Sequence, residues 1–221
     1  MDDMRQRVVG LAADAAMSDD PFGWFEQIYT EADGDWSQVP WADQRANPLF
    51  SDWLELNFPK PPHAAAKALV IGCGLGDDAV YLETSGWKVC AFDISQTAIE
   101  WAEKIHPGSM VEWRQANLLE PPVEWFSSFD LVVEIHTLQA MAQASRQDAA
   151  KVLPKFLRPG GHLVCIGRLS NPDVEVIGPP WPLAKDWIMA LGRVFELQEF
   201  CESRRQDDEP DTLRFRAVWK R

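Results

Sequence analysis

Positive charge is what this chain of 221 residues has least of: 21 Lys and Arg stand against 34 Asp and Glu, a formal net charge of −13. The basic residues occur singly or in short pairs such as Arg204-Arg205. No basic stripe exists to neutralise a phosphate backbone, which argues against nucleic acid and against an anionic membrane surface as partners. Cysteine is scarce as well. Cys73, Cys90, Cys165 and Cys201 form no Cys-x-x-Cys pair, and each lies in an apolar stretch. That usage reads as buried free thiols in a reducing compartment. No spacing of His, Cys and carboxylate suggests a metal site. The first residues, Met1-Asp2-Asp3-Met4-Arg5, lack the basic start and apolar run of a signal peptide. No apolar segment approaches the roughly 20 residues that span a bilayer. Together these absences give the expectation of a cytoplasmic chain.

What remains is ordinary for a globular protein, with 46% apolar and 25% charged residues. The length suits one large domain. There are no internal repeats, and residues 1–20 read as a flexible or loosely helical tail. Residues 21–63 form an aromatic segment. Phe22, Phe25, Ile28 and Tyr29 follow a helical period, the loop Asp33-Gly34-Asp35-Trp36 follows, and Pro48 opens a second helix with Leu49, Phe50, Trp53, Leu54 and Leu56. A loop at Pro59-Lys60-Pro61-Pro62-His63 closes it.

From residue 64 to 221 the pattern alternates strand and helix. Strands are expected at Ala68–Ile71, Lys88–Phe92, Met110–Arg114, Phe129–Glu134 and His162–Gly167, short apolar runs of the kind covered on both faces. Helices are expected at Asp77–Ser85, after Ser95 as cap, and after Ser145-Arg146-Gln147-Asp148 as a capping box, with Pro154 kinking or delaying the last. Pro159-Gly160-Gly161 reads as a turn. Phe195–Phe200 and Leu213–Trp219 alternate like an antiparallel pair around the acidic turn 206–210. The fold class is therefore α/β: a doubly wound, mostly parallel seven-stranded sheet ending in an antiparallel hairpin.

The strongest local signal is Gly72-Cys73-Gly74-Leu75-Gly76, followed by Asp77 and Asp78, between a strand and a helix. Glycines there let the backbone turn tightly and approach a ligand at the carboxyl edge of the sheet. The spacing is Gly-x-Gly-x-Gly and not Gly-x-Gly-x-x-Gly. Two carboxylates occupy the place where a helix N-terminus would hold a pyrophosphate, which disfavours a dinucleotide and suits a cofactor with positive charge. Asp93 ends the second strand, where a carboxylate can accept from a ribose diol. Asn117 ends the third, where an amide can read an adenine edge. Glu134 and His136 close the fourth, and His136 is the candidate general base.

Residues 68 to about 168 resemble the core of the class I S-adenosylmethionine-dependent methyltransferases. The resemblance rests on Gly72-Cys73-Gly74-Leu75-Gly76, on Asp93, on Phe129-Asp130-Leu131-Val132-Val133-Glu134 and on Leu157-Arg158-Pro159-Gly160-Gly161. The aromatic segment Trp24, Tyr29, Trp36, Trp41, Asn47-Pro48-Leu49, Trp53-Leu54 is similar to that of the small-molecule branch containing thiopurine and thiol methyltransferases. Two positions depart from the family pattern: Val70 stands where many members carry an acid, and Asn117 where Asp is commoner.

The resemblance implies that S-adenosylmethionine is the cofactor, held by Trp41, Gly72, Cys73, Gly74, Gly76, Asp77, Asp93, Ile94, Asn117, Leu118 and Glu134. It implies a small-molecule S, O or N acceptor lined by Trp24, Trp36, His136 and Trp181, with His136 and Glu134 as catalytic candidates. Trp24, Trp36 and Trp41 could cage a sulfonium by cation–π contact, or simply pack the segment onto the core. The loop Gly178-Pro179-Pro180-Trp181-Pro182 is expected to be an acceptor lid or the lead into the next helix. Cys73 lacks a basic neighbour and is not read as a nucleophile. Two rival functions are a dinucleotide-dependent oxidoreductase and a non-catalytic regulatory protein that binds S-adenosylmethionine.

Overall fold

A computed structural model describes residues 3–174, 177–205 and 212–221. The acidic turn 206–210 lies outside the described residues. Helix α1 (Asp3–Ala16) and helix α2 (Gly23–Ala32) come first, then a 3₁₀ turn (Trp36–Gln38) and helix α3 (Pro48–Asn57). Asn47 caps α3 by accepting from Leu49 N at 3.0 Å, with Pro48 in the first turn where no amide is needed. Strand β1 (Lys67–Ile71), helix α4 (Asp77–Thr84), strand β2 (Lys88–Asp93), helix α5 (Gln96–Ile105) and strand β3 (Glu112–Gln115) follow. Strand β4 (Phe129–Ile135) leads to the single-turn helix α6 (Thr137–Ala140) and then to α7 (Gln143–Phe156). Strand β5 (Leu157–Leu169), helix α8 (Lys185–Leu191), β6 (Glu196–Ser203) and β7 (Leu213–Lys220) complete the chain.

The seven strands lie in the order β3-β2-β1-β4-β5-β7-β6. Pairings are parallel from β3 through β5, whereas β7 runs antiparallel to both β5 and β6. Side chains alternate across the sheet. Leu69, Ile71, Val132, Leu163 and Cys165 pack on one face with α7 and α8, and Ala68, Val70, Leu131, Val133 and Ile166 on the other with α3 and α4. Each large apolar side chain buried this way contributes about 1.5–3 kcal/mol. Strand order reverses between β1 and β4, and in such sheets the ligand crevice opens beyond the carboxyl ends at that point.

Several local expectations are corrected. Residues 3–16 are helical, the second of the two readings, and packed where a loose helix was expected, because Val8 and Ala12 seat against Trp24 and Ile28 of α2. Helix α7 starts at Gln143, ahead of the Ser145 box. Arg146 ties that first turn down instead, donating to the carbonyls of Leu138 and Met141 at 2.9 Å each. Pro154 falls within the final turn of α7, where only one helical hydrogen bond is forfeited. Pro159-Gly160-Gly161 belongs to β5 as an irregularity in its pairing with β4, not to a turn before it. Between β3 and β4 the described crossover holds a 3₁₀ turn (Val123–Trp125) and no α-helix.

Candidate active site

The loop after β1 turns on three left-handed glycines: Gly72 at φ +60°, Gly74 at +52° and Gly76 at +93°. A β-carbon on Gly72 would come within 2.4 Å of Thr137 Oγ1, and one on Gly76 within 2.4 Å of the Trp113 ring. Thr137 donates to the Ile71 carbonyl at 3.0 Å, so the loops after β1 and β4 touch across the reversal point. Gly74 is different. A β-carbon there would meet the Tyr29 hydroxyl at 3.1 Å and the Trp41 ring at 3.9 Å, both carried by the N-terminal segment. Trp41 Nε1 donates to Tyr29 Oη at 2.6 Å, which fixes the two rings as one cover over the loop.

Asp93 braces the same loop from below. One carboxylate oxygen accepts from Gly74 N at 2.9 Å and the other from Ser95 N at 3.0 Å. Burial raises its pKa despite those amide bonds. Ser95 caps α5 by accepting from Ala98 N at 3.0 Å and donates to Glu26 Oε2 of α2 at 2.6 Å. Glu26 also accepts from Thr97 N at 3.2 Å and Thr97 Oγ1 at 2.5 Å. Burial works against its ionisation, but these hydroxyl and amide donors prevail and lower its pKa. A carboxylate at a helix N-terminus also answers the helix dipole. Thus Glu26 latches the N-terminal segment to the core. It also lines a cavity of about 210 Å³ with Asp20, Phe22, Gly23, Ile94 and Gln115.

Two carboxylates open α4. Asp78 accepts from Asn47 N at 2.7 Å, and burial raises its pKa to about 7. Asp77 is half-buried and its pKa is raised by burial, with Asp43 adding repulsion. Three acidic side chains therefore converge at the loop's exit. Asn117 turns its oxygen onto Leu119 N at 2.9 Å, beside buried Leu118. Cys73 is a free thiol whose pKa is pushed well up by burial, the opposite of an activated nucleophile.

Beyond β4 the picture is one of side chains. Glu134 is 1% exposed and points into the core. Its oxygens accept from Leu138 N at 2.9 Å and from the Cys165 thiol at 2.7 Å, and burial raises its pKa to about 7. It anchors the turn into α6. His136 stands in that turn at φ +62°. Its Nδ1 lies 3.0 Å from Gln139 Oε1, and its Nε2 lies 3.3 Å from a guanidinium nitrogen of Arg214. An amide oxygen and a guanidinium leave one arrangement: Nδ1 donates and Nε2 accepts. Burial, with Arg214 and Arg168 nearby, brings its pKa down to about 4. His136 is thus neutral with its lone pair already engaged, a poor position for a base.

The four tryptophans separate. Trp41 sits on the glycine loop, and Trp36 is exposed at the 3₁₀ turn. Trp24 is 4% exposed, stacked on Phe25 and edge-on to Trp41, and packs against α1. Trp181 borders that same cluster, and its backbone N donates to the Gln139 carbonyl at 2.8 Å. Sequence reasoning missed Tyr29 as a loop contact, Glu26 as a latch and Gln139 as a hub. Glu26 offered no signal, since its partners Ser95 and Thr97 lie about seventy positions away.

These residues fit the adenosine and sulfonium parts of S-adenosylmethionine. The loop keeps Gly74 bare under two aromatic rings, Asp93 ends β2, and acidic side chains gather where positive charge would lie. Among the described residues no group of three or more His, Cys, Asp or Glu is placed to hold a metal ion. No helix there is long and apolar enough to cross a membrane.

Comparisons with known proteins agree. Residues 69–165 match the family model described as a methyltransferase domain. A thiopurine S-methyltransferase of Vibrio parahaemolyticus is 28% identical over 169 residues, which cover 70% of this chain and 76% of that one. Thiocyanate methyltransferase 1 of Arabidopsis thaliana is 26% identical over 68% of this chain and 67% of its own length. Among solved structures, the 1,6-didemethyltoxoflavin-N1-methyltransferase of Burkholderia thailandensis, bound to S-adenosylhomocysteine, superposes with a TM-score of 0.68. It is 17% identical, with 89% of this chain and 86% of that one covered, a likeness that speaks to fold. Taken with the glycine loop and the strand order, these matches support S-adenosylmethionine-dependent methyl transfer to a small molecule, on a fold similar to that of the class I methyltransferases.

Proposed function

We propose that this methyltransferase acts on a small sulfur nucleophile that arrives already ionised, such as an aromatic thiol or a thiocyanate-like anion. One observation carries the reading: the titratable side chain beyond β4 that sequence marks as a base has its lone pair committed to Arg214. Glu134, its neighbour, is sealed in the core by Leu138 and Cys165. A phenol needs its proton taken and a protonated amine must lose one before it can attack, whereas a thiolate needs neither. The relatives described as thiopurine and thiocyanate methyltransferases support the same acceptor chemistry. The net charge of −13 supports a small acceptor over a phosphate polymer.

Bound, S-adenosylmethionine supplies an electrophilic methyl on a sulfonium, which the acceptor lone pair takes by in-line displacement. The residues to hold it are the backbone of Gly72, Cys73, Gly74 and Gly76, Asp93 toward the ribose, Ile94, Asn117 and Leu118 toward the adenine, and Asp77 toward the charged end. Tyr29 and Trp41 exclude water from the loop. Holding both reactants aligned in such a site is worth roughly 7–11 kcal/mol in favourable cases. His136 and Trp181 shape the acceptor side. Calorimetric titration with S-adenosylmethionine, S-adenosylhomocysteine and NAD, followed by an acceptor panel, tests this. The reading expects the first two to bind at one site per chain and thiols to turn over ahead of phenols and amines of similar shape. Binding of NAD alone, or faster turnover of a phenol, would overturn it.

A further inference from the structure

We infer that Gln139 is the positioning residue of the acceptor side, a single buried amide that orients His136 and locks it to the ends of β5 and of the Trp181 loop. Gln139 is 1% exposed and every group on its amide is used. Its nitrogen donates to the carbonyls of Arg168 at 2.7 Å and Trp181 at 3.1 Å. Its oxygen accepts from Arg168 N at 2.6 Å and from His136 Nδ1 at 3.0 Å. The three backbone partners fix which end of the amide is oxygen, because two are carbonyls and one is an N–H. The imidazole therefore cannot choose its tautomer. An oxygen opposite Nδ1 requires a proton on Nδ1 and leaves the Nε2 lone pair outward, where Arg214 donates to it. Which ring nitrogen is protonated is set by the bond that the other one makes.

The same amide sets the wall. Arg168 lies near the end of β5, paired with Arg214 of β7, and Trp181 belongs to the proline loop that follows, so two segments and one titratable ring share one hub. Gly167 shows how closely the hub is seated, since a β-carbon there would meet Gln139 Oε1 at 2.6 Å. The groups facing His136 are Gln139 from α6, Arg168 from β5, Arg214 from β7 and, at longer range, Asp43. No apolar residue of similar size reproduces this arrangement, and loss of the amide strands buried backbone groups.

The assignment deepens the methyl-transfer reading and rests on it for the kinetic part alone. Nitrogen-15 NMR of the His136 ring in the wild-type chain near pH 7 reads the tautomer directly; Nδ1–H is expected, and Nε2–H would overturn the inference whatever the cofactor proves to be. Gln139→Leu should mix the tautomers and raise the acceptor KM by roughly tenfold or more while the S-adenosylhomocysteine Kd stays within about twofold. Gly167→Ala, which crowds the amide without removing any hydrogen-bonding group, should act in the same direction more weakly and serves if Gln139→Leu does not fold. Gln139→Glu keeps an oxygen for Nδ1 and should keep the Nδ1–H tautomer, while its lack of an N–H for the Arg168 and Trp181 carbonyls lowers Tm. A lowered Tm in Gln139→Leu with the tautomer and acceptor KM unchanged would make Gln139 a packing residue and end the proposal. Failure of the wild-type chain to bind either sulfur cofactor would defeat the methyl-transfer reading while leaving the tautomer result standing.

Discussion

The two halves of the crevice are built in different ways. On the β1–β2 side the walls are backbone: three left-handed glycines, a carboxylate gripping two amides, and a capped helix. On the β4–β5 side the construction turns on side chains: Gln139 and His136 meet the Arg214 side chain of β7 and the main chain of β5 and of the proline loop. Backbone construction suits a cofactor that never changes. Side-chain construction lets the acceptor vary without disturbing the cofactor loop. The N-terminal segment spans both, with Tyr29 and Trp41 on the glycine loop and Trp24 near Trp181.

The contrast predicts which change affects which half. Gly76→Ala should be the most severe. The new β-carbon would meet the Trp113 ring at 2.4 Å on a backbone at φ +93°. Strain and overpacking of this kind cost about 2–5 kcal/mol together, enough to weaken S-adenosylhomocysteine binding by roughly thirtyfold or more. Asp93→Ala should weaken cofactor binding by on the order of 1–3 kcal/mol in calorimetry, since it removes the brace on Gly74 and the carboxylate proposed to meet the ribose. A change in acceptor KM alone from either variant would break the division of labour.

His136→Gln tests the other half, with a smaller expected effect. Acceptor KM should rise by roughly three- to tenfold, equally for a thiol and a phenol, with cofactor affinity unchanged. A loss confined to the phenol would restore His136 as a base. The smallest effect concerns Asp78. Its folded pKa of about 7 lies above the ordinary 3.8, so the fold holds the proton more tightly than the unfolded chain does. The contribution is therefore most favourable below about pH 4 and is lost as pH rises toward 7. Asp78→Asn keeps an acceptor for Asn47 N and should raise Tm at pH 8 but not at pH 4. Equal shifts at both pH values would show that the carboxylate titrates normally.

Legibility followed the same division. The glycine loop, Asp93, the Ser95 cap and the strand alternation were readable because each is local, a spacing of a few residues with one backbone consequence. The hairpin at the end was readable for the same reason, since the sequences of β6 and β7 both alternate. The capping box at Ser145 misled because the helix start is set by Arg146 reaching back to Leu138 and Met141, a tertiary choice. The packing of helix α1 was not legible because its apolar stripe is thin and acquires meaning only against Trp24 and Ile28. His136 was found, but its state was not, because Gln139 and Arg214 reach it from three and seventy-eight positions away. The inward turn of Glu134 onto Leu138 N and the Cys165 thiol was not legible, since position at a strand end says nothing about which face a side chain takes in the final turn.

On the proposed reading the acceptor brings its own charge, and neither His136 nor Glu134 takes a proton from it. The most direct test of that reading is the pH dependence of kcat/KM for two aromatic thiols whose own pKa values differ by about two units, each measured with saturating S-adenosylmethionine. If the account holds, the lower inflection moves with the acceptor, tracking each thiol's ionisation. An inflection fixed at one value for both thiols would belong to a group on the enzyme and would contradict it.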